Sequence, residues 1–310
     1  MILTVTLNAA LDITYRVPEL RPRTGHRVSE VAERPGGKGV NVARVLAALG
    51  HRVTVAGFAG GPTGRVLRDL LARTAGPVVD ALTPVAGTTR RTVSVVEPAA
   101  DDTTLFNEPG PAVTAAEWAA FQVAYRDLLP GARAVALCGS LPPGVPVGAY
   151  AHLVREARAA GVPVLLDTSG EPLRRGIAAR PDLLKPNAGE LAELTGSHDA
   201  PQAARDARRR GARTVVASLG AAGLLAAGPE GHWRAVPPRP LRGNPAGAGD
   251  SVVAGLLSGL VEGLPWPDRL ARATALSAAT VAAPVAGEFD RALYEELLGR
   301  VGVAEAAPTG

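Results

Sequence analysis

The chain has 310 residues, 46% hydrophobic and 20% charged, which supports a sizeable globular core and excludes a disordered polymer. Aromatic residues are only 4%, arguing against base-stacking platforms for single-stranded nucleic acid, and the net charge of +4 is dispersed over 33 basic and 29 acidic residues. A lone cysteine, Cys138, permits no internal disulfide, and neither a basic leader nor a run of 18 apolar residues is present. A cytoplasmic protein without nucleic-acid or membrane partners is expected.

An apolar strand is expected at residues 2–7. Segments 13–17 and 27–33 alternate polar and apolar residues around Arg-Pro-Arg-Thr-Gly, which predicts a strand pair projecting from the body. A helix follows at 40–49 and stops at Gly50. Beyond it, strands at 53–57, 133–138, 162–167, 183–185 and 214–218 alternate with helices near 64–73, 114–128, 148–160 and 189–194. Edge strands at 92–96 and 103–107, a hairpin over 224–227 and 233–236, and closing helices near 249–262, 267–283 and 290–301 complete the expected elements. Arg208-Arg209-Arg210 reads as the solvated end of a polar helix, and the tail 303–310 as frayed. This alternation predicts a parallel sheet covered by helices on both faces, in one domain over 1–310, with ligands beyond the carboxyl ends of the strands.

Residues 243–256 read Gly-Asn-Pro-Ala-Gly-Ala-Gly-Asp-Ser-Val-Val-Ala-Gly-Leu. Gly247 and Gly249 leave amides uncovered at the head of an apolar helix, where the helix dipole favours an anion. Asp250 beside such a site suits phosphoryl transfer, in which a base takes a hydroxyl proton while amides hold the transferring oxygens. An ordinary helix cap has the same spelling.

Only two lysines occur, Lys38 and Lys185, and each lies in a further motif. In Pro35-Gly-Gly-Lys-Gly-Val-Asn-Val-Ala43, the glycines would let a ligand reach the backbone, Lys38 would meet an anion and Asn41 would bond hydroxyls. A tight turn into a helix is the plainer reading, and neither a Walker A loop nor a dinucleotide fingerprint fits. In Lys185-Pro-Asn-Ala-Gly-Glu190, Asn187 and Glu190 have capping-box spacing. Alternatively they form a Mg²⁺–phosphate site, with Glu190 holding the metal through water and Lys185 reaching nucleotide phosphates. Asp12 could grip two sugar hydroxyls or cap a turn. Strand alternation lets at most one of Arg90 and Arg91 face the cleft. The five histidines have no metal spacing, and no nucleophile elbow occurs.

These motifs, with Thr6-Leu-Asn-Ala-Ala-Leu-Asp12, Asn107-Glu-Pro-Gly-Pro111, Gly139-Ser-Leu-Pro-Pro-Gly144, Leu166-Asp-Thr-Ser-Gly170 and Ser218-Leu-Gly220, run nearly end to end in order. In this the chain resembles the PfkB/ribokinase-like carbohydrate kinases, most closely the 1-phosphofructokinase and tagatose-6-phosphate kinase branch. The resemblance implies a Rossmann-like three-layer α/β/α sandwich with a small β-sheet lid near 12–34 and 88–107, through which two copies could pair. It implies ATP and Mg²⁺ as cofactors and a ketohexose phosphate as acceptor, D-fructose 1-phosphate first, with tagatose 6-phosphate, fructose 6-phosphate or another sugar as alternatives. By the same resemblance Asp250 is the base and Gly247, Ala248, Gly249 and Asp250 supply the anion hole. Asp12, Gly37, Lys38, Asn41, Arg90 and Ser140 bind the sugar phosphate, while Lys185, Asn187, Ser218, Gly220, Gly223, Gly247 and Gly249 bind ATP. Asn187 and Glu190 hold the metal. The chain departs from the pattern at Ala9, at Thr92 and Ser94 (an asparagine and a basic residue in the fructose-1-phosphate branch), and at Pro245-Ala246. A non-catalytic sugar-phosphate sensor of the same fold would bind ligand without turnover, and a nicotinamide oxidoreductase would need the absent fingerprint.

Overall fold

A computed structural model describes residues 1–98, 102–241, 243–283 and 285–306. Strands β1 (Ile2–Thr6), β2 (Ala10–Arg16) and β3 (Glu30–Gly36) lead into helix α1 (Lys38–Ala48). Next come β4 (Val53–Gly60), α2 (Gly61–Ala72), β5 (Val78–Val85), β6 (Arg90–Glu97), β7 (Asp102–Asn107) and α3 (Ala115–Leu128). The alternation continues with β8 (Ala134–Cys138), α4 (Ala149–Ala159), β9 (Val164–Asp167), α5 (Gly170–Ile177), β10 (Leu183–Leu184), α6 (Ala188–Thr195), α7 (Ala200–Arg210) and β11 (Thr214–Ser218). The hairpin β12 (Leu224–Gly228) and β13 (Gly231–Val236), helices α8 (Ala248–Val261), α9 (Trp266–Val281) and α10 (Arg291–Leu298), and β14 (Gly302–Glu305) close the chain.

The main sheet has the order β14-β13-β12-β11-β10-β9-β8-β1-β4-β5. From β11 to β5 every pairing is parallel, and β12, β13 and β14 add on antiparallel. Parallel strands are covered on both faces, so their residues are buried without alternation: all five of β1, Thr4 and Thr6 included, and all five of β8. One core layer packs α1, α2, α8 and α9 on the sheet through residues such as Val42, Leu67, Leu256 and Leu276. The other packs α3, α4, α5 and α7 through Phe121, Leu153, Leu173 and Ala204. The result is a three-layer α/β/α arrangement. Helix α8 is buried along most of its length because α9 crosses it closely, and a β carbon on Gly255 would lie 2.5 Å from Ala273 Cα.

From β1 the chain passes outward to β4 and β5, then returns to β8 on the other side of β1. The crevice at this switch between β1 and β8 is where an open α/β sheet takes its ligands. A second sheet, ordered β3-β2-β6-β7, stands apart from the first. Within it Asp12 pairs with Thr92 and Thr14 with Ser94, so all four share one face.

Three elements differ from expectation. Strand β5 carries Asp80 and Pro84, which read as a loop, but as the outermost strand it tolerates a proline. Helix α5 begins Gly-Glu-Pro and buries only Leu173, Gly176 and Ile177, too short a stripe to show as a period. The tail expected to fray from residue 303 instead pairs with β13 as β14, and 307–310 lie outside the described residues.

Candidate active site

Asp250 is the third residue of α8, behind Gly247, whose φ of 81° turns the chain into the helix. It is 6% exposed, and Asn41 Nδ2 donates to its Oδ2 at 2.9 Å. Burial, then the charge of Asp167, pushes its carboxyl up to about 7, against the opposing pull of Lys38, Asn41 and Lys185. The preceding turn is stitched by its own side chain, with Ala246 N–H donating to Asn244 Oδ1 at 2.9 Å. Ala248 N–H donates to Pro245 O at 3.2 Å, and the helical ladder starts with Ser251 N–H on Gly247 O. The helix's own ladder therefore does not use the N–H groups of Gly249 and Asp250, which head the dipole. Ala248, expected among the anion-hole donors, has its amide engaged.

Both lysines meet one carboxylate. Lys38 Nζ lies 3.4 Å and Lys185 Nζ 3.3 Å from Asp167 Oδ1, at the carboxyl end of β9. The Asp167 side chain is fully buried and that of Lys185 is 4% exposed, whereas Lys38 is 40% exposed and open to the crevice. Burial alone would lower the Lys38 ammonium, but Asp167, Asp250 and Glu190 together hold it above its ordinary range. Lys185 sits under the Gly247 turn, its Nζ 3.6 Å from where a β carbon on Gly249 would be. Sequence reasoning gave Asp167 no role. Its signal was its position, as an acid ending a wholly apolar core strand on the ligand side of the sheet. Neighbouring Cys138 is buried, and burial followed by the charges of Asp167 and Asp250 pushes its thiol up, so it stays neutral.

At the glycines of 36–39, neighbouring protein atoms occupy the space that a β carbon would take. A β carbon on Gly36 would fall on the Asp12 carboxylate, and one on Gly39 on Thr6 Oγ1. Gly37, at φ 100°, would bring its β carbon 2.7 Å from Thr6 Cγ2. The first turn of α1 is thus seated on the end of β1, which points Lys38 and Asn41 into the crevice region.

Asp12 is pushed up to about 6 by burial, which outweighs Arg90, a hydrogen bond from Thr92, and Arg44. Arg90 Nε donates to Asn8 O at 3.1 Å, and Asn8 Nδ2 reaches Ser140 Oγ at 3.1 Å, joining the loops after β1 and β8. Arg91 turns to the other face and pairs with Glu108 at 2.6 Å, as alternation requires.

Beside the Gly247 turn opens a cleft of about 590 Å³ lined by Asn187, Ser218, Gly220, Gly223 and Gly249, with Leu224, Val252, Ala278 and Val281 supplying apolar surface. Ser218 N–H donates to Pro186 O at 3.0 Å and draws the two loops together. Asn187 and Glu190 do form the capping box, with Glu190 Oε2 accepting from Asn187 N–H at 2.8 Å. The box leaves Glu190 Oε1 for another partner. Among the described residues no group of three His, Cys, Asp or Glu side chains could cage a metal. A single free carboxylate oxygen would fit Mg²⁺, which keeps most of its water and takes few protein ligands.

Arg44, also unassigned from sequence, lies 8% exposed in α1 amid Val40, Ala43 and Ala47. A cation inside an apolar helical stripe signals a charged partner, here the half-buried Glu288, whose Oε1 lies 2.6 Å away.

The sequence is 41% identical over 283 residues to a 1-phosphofructokinase of Rhodobacter capsulatus, covering 89% of each chain. Phosphofructokinase-2 of Escherichia coli has been solved in complex with fructose-6-phosphate and as a tetrameric inhibited form. The two superimpose with TM-scores of 0.86 and 0.88 at 30% and 31% identity, over 96% of this chain and 98% of theirs. Arabidopsis thaliana ribokinase, complexed with ribose and ATP, shares the fold at a TM-score of 0.76 and 22% identity, over 96% of this chain and 98% of that one. The profile described as pfkB family carbohydrate kinase matches residues 4–290, and the chain belongs to that family of ATP-using phosphotransferases.

Proposed function

We propose that this chain transfers the γ-phosphoryl group of MgATP to the free primary hydroxyl of a ketohexose phosphate, D-fructose 1-phosphate in first place, giving fructose 1,6-bisphosphate. The observation that carries the reading is a buried carboxylate, Asp250, raised to about 7 at the head of a helix where the amides of Gly249 and Asp250 are open. Asp250 takes the hydroxyl proton as the oxygen bonds to the γ-phosphorus and the bond to the β-phosphate oxygen breaks. The amides of Gly249 and Asp250, with Lys185 beneath them, hold the charge on the transferring oxygens. Asn41 keeps the carboxylate aimed.

The nucleotide occupies the cleft bounded by Ser218, Gly220 and Gly223. Glu190, with Asn187 beside it, would hold the magnesium ion through water, and the ion when bound neutralises the phosphates. Asp12 grips sugar hydroxyls, and Lys38 and Arg90 meet the acceptor's own phosphate. An unphosphorylated sugar would give such cations nothing to neutralise, which supports a phosphorylated acceptor. The small sheet acts as a lid, and its exposed Val31, Leu105 and Phe106 support pairing of two copies through it. A reaction drawing on ATP and sugar phosphates supports a cytoplasmic location.

The decisive experiment is a steady-state comparison of fructose 1-phosphate, fructose 6-phosphate, tagatose 6-phosphate and fructose at fixed MgATP. The expected result is the highest kcat/KM for fructose 1-phosphate. A higher value for fructose would overturn the phosphorylated-acceptor reading, and a higher value for another sugar phosphate would move the substrate but keep the chemistry.

A further inference from the structure

Arg44 reaches out of α1 to the segment that follows α9. Its Nη1 donates to Ala286 O at 2.8 Å and its Nη2 to Glu288 Oε1 at 2.6 Å, while Arg34 Nε approaches the same Glu288 oxygen at 3.6 Å. The segment so held backs directly onto the anion turn. A β carbon on Gly247 would lie 2.9 Å from both Cα and Cβ of Ala286. Gly287, at φ 75°, is equally confined, since its β carbon would lie 2.7 Å from Arg44 Nη1 and 3.0 Å from Asn41 Oδ1. Residues 286–288 are therefore wedged between Gly247 on one side and Asn41 with Arg44 on the other.

We propose that Arg44 is a positioning residue for phosphoryl transfer. Through Ala286 and Glu288 it fixes the 286–288 segment as the shared back wall of the Gly247 turn and of Asn41. The base and the open amides then stay in register with each other. The inference rests on the assignment of Asp250 as base. It differs from a direct effect of the Arg44 charge on Asp12, which would act on sugar binding. A guanidinium suits the task because its planar fork serves a carbonyl and a carboxylate at once, which a single ammonium does not.

The test is steady-state kinetics of the full chain with MgATP and fructose 1-phosphate for Glu288→Gln, Arg44→Lys and Arg44→Met, beside Asp250→Asn. Glu288→Gln keeps an oxygen that can accept from Arg44 and removes only the charge of a side chain that is 41% exposed. It should lower kcat by about tenfold, with both KM values within about twofold of the parent. Arg44→Met should lower kcat by about a hundredfold, and Arg44→Lys should recover about tenfold of that loss. If Arg44→Met fails to fold, Glu288→Gln decides alone. Unchanged kcat in Glu288→Gln and Arg44→Lys, with Asp250→Asn inactive, would overturn the proposal. So would a loss confined to the sugar KM, which would reassign Arg44 to Asp12. Turnover retained by Asp250→Asn would instead remove the base assignment.

Discussion

Asn41 of α1 donates to Asp250 of α8 at 2.9 Å, a contact that spans 209 residues of sequence and fixes which carboxylate oxygen faces away from it. With Oδ2 held by Asn41, Oδ1 is the oxygen free to receive a proton. Asp250→Asn keeps an oxygen that can accept from Asn41 but loses the base. Its kcat should fall by about 10²–10⁴-fold, while the ATP Kd from calorimetry stays near the parent value. Near-parental turnover would sink the assignment.

The same substitution should stabilise the protein at alkaline pH. The Asp250 carboxyl is raised from an ordinary value near 3.8 to about 7, so its favourable contribution is complete below pH 3.8 and is lost as pH rises through 7. At pH 8 the fold carries a buried ionised carboxylate, and Asn removes that cost, worth roughly 1–4 kcal/mol. The Tm of Asp250→Asn should exceed that of the parent at pH 8, with the gap closing toward pH 4. A gap independent of pH would show that charge is not its cause.

Activity runs with the opposite sign. A protonated Asp250 cannot take the hydroxyl proton, so kcat should climb as pH rises through about 7. Asp12, raised to about 6, must also ionise to accept sugar hydroxyls, which should steepen the acid limb of kcat/KM for the sugar relative to that of kcat. A pH-rate series from 5 to 9 in constant ionic strength separates the two limbs.

Gly36→Ala offers a substitution with function at stake and little else. The backbone there needs no left-handed φ, so alanine is tolerated, but its methyl group displaces the Asp12 carboxylate. The sugar KM should rise by about tenfold or more with the ATP KM unchanged, because one charged hydrogen-bonding group is lost from the sugar side only. A parental sugar KM would show that Asp12 does not touch the acceptor.

Asp167→Asn should destabilise the protein by about 3–5 kcal/mol, because it strands the buried Lys185 ammonium without a counter-ion. It should also shift the acid limb of kcat downward, since a negative charge that raises Asp250 disappears. Lys185→Met in the same chain should return part of the stability, measured by urea unfolding, without returning activity.

The pieces of the site that could be read from sequence share a trait. Gly247 to Asp250, Lys38 and Lys185 sit in short glycine- or proline-marked turns, where the local chemistry is complete within a few residues. Asn187 and Glu190 were ambiguous between a helix cap and a ligand site, and they do form the cap, which leaves one oxygen of Glu190 outside it. Asp167 and Arg44 were missed because their partners come from other elements, Lys185 and Lys38 (129 residues away) for Asp167 and Glu288 (244 residues away) for Arg44. No local pattern encodes such a pairing. The glycines before α1 were legible as a close approach, and the structure adds that the bulk a β carbon would meet there belongs to Thr6 and Asp12. Among the elements, the buried parallel strands announced themselves by short runs dominated by apolar residues, while β5 was hidden by the proline that its edge position permits.

Strand β14 has a consequence for how the enzyme is handled. Its four residues lie against β13 and end the main sheet, and neither belongs to the crevice chemistry. A chain shortened ahead of Gly302 would keep its reactive groups and gain a raw strip of backbone donors and acceptors along β13. Such an edge recruits other edges. Loss of the C-terminal end would show itself in light scattering on storage before it showed in a freshly measured rate.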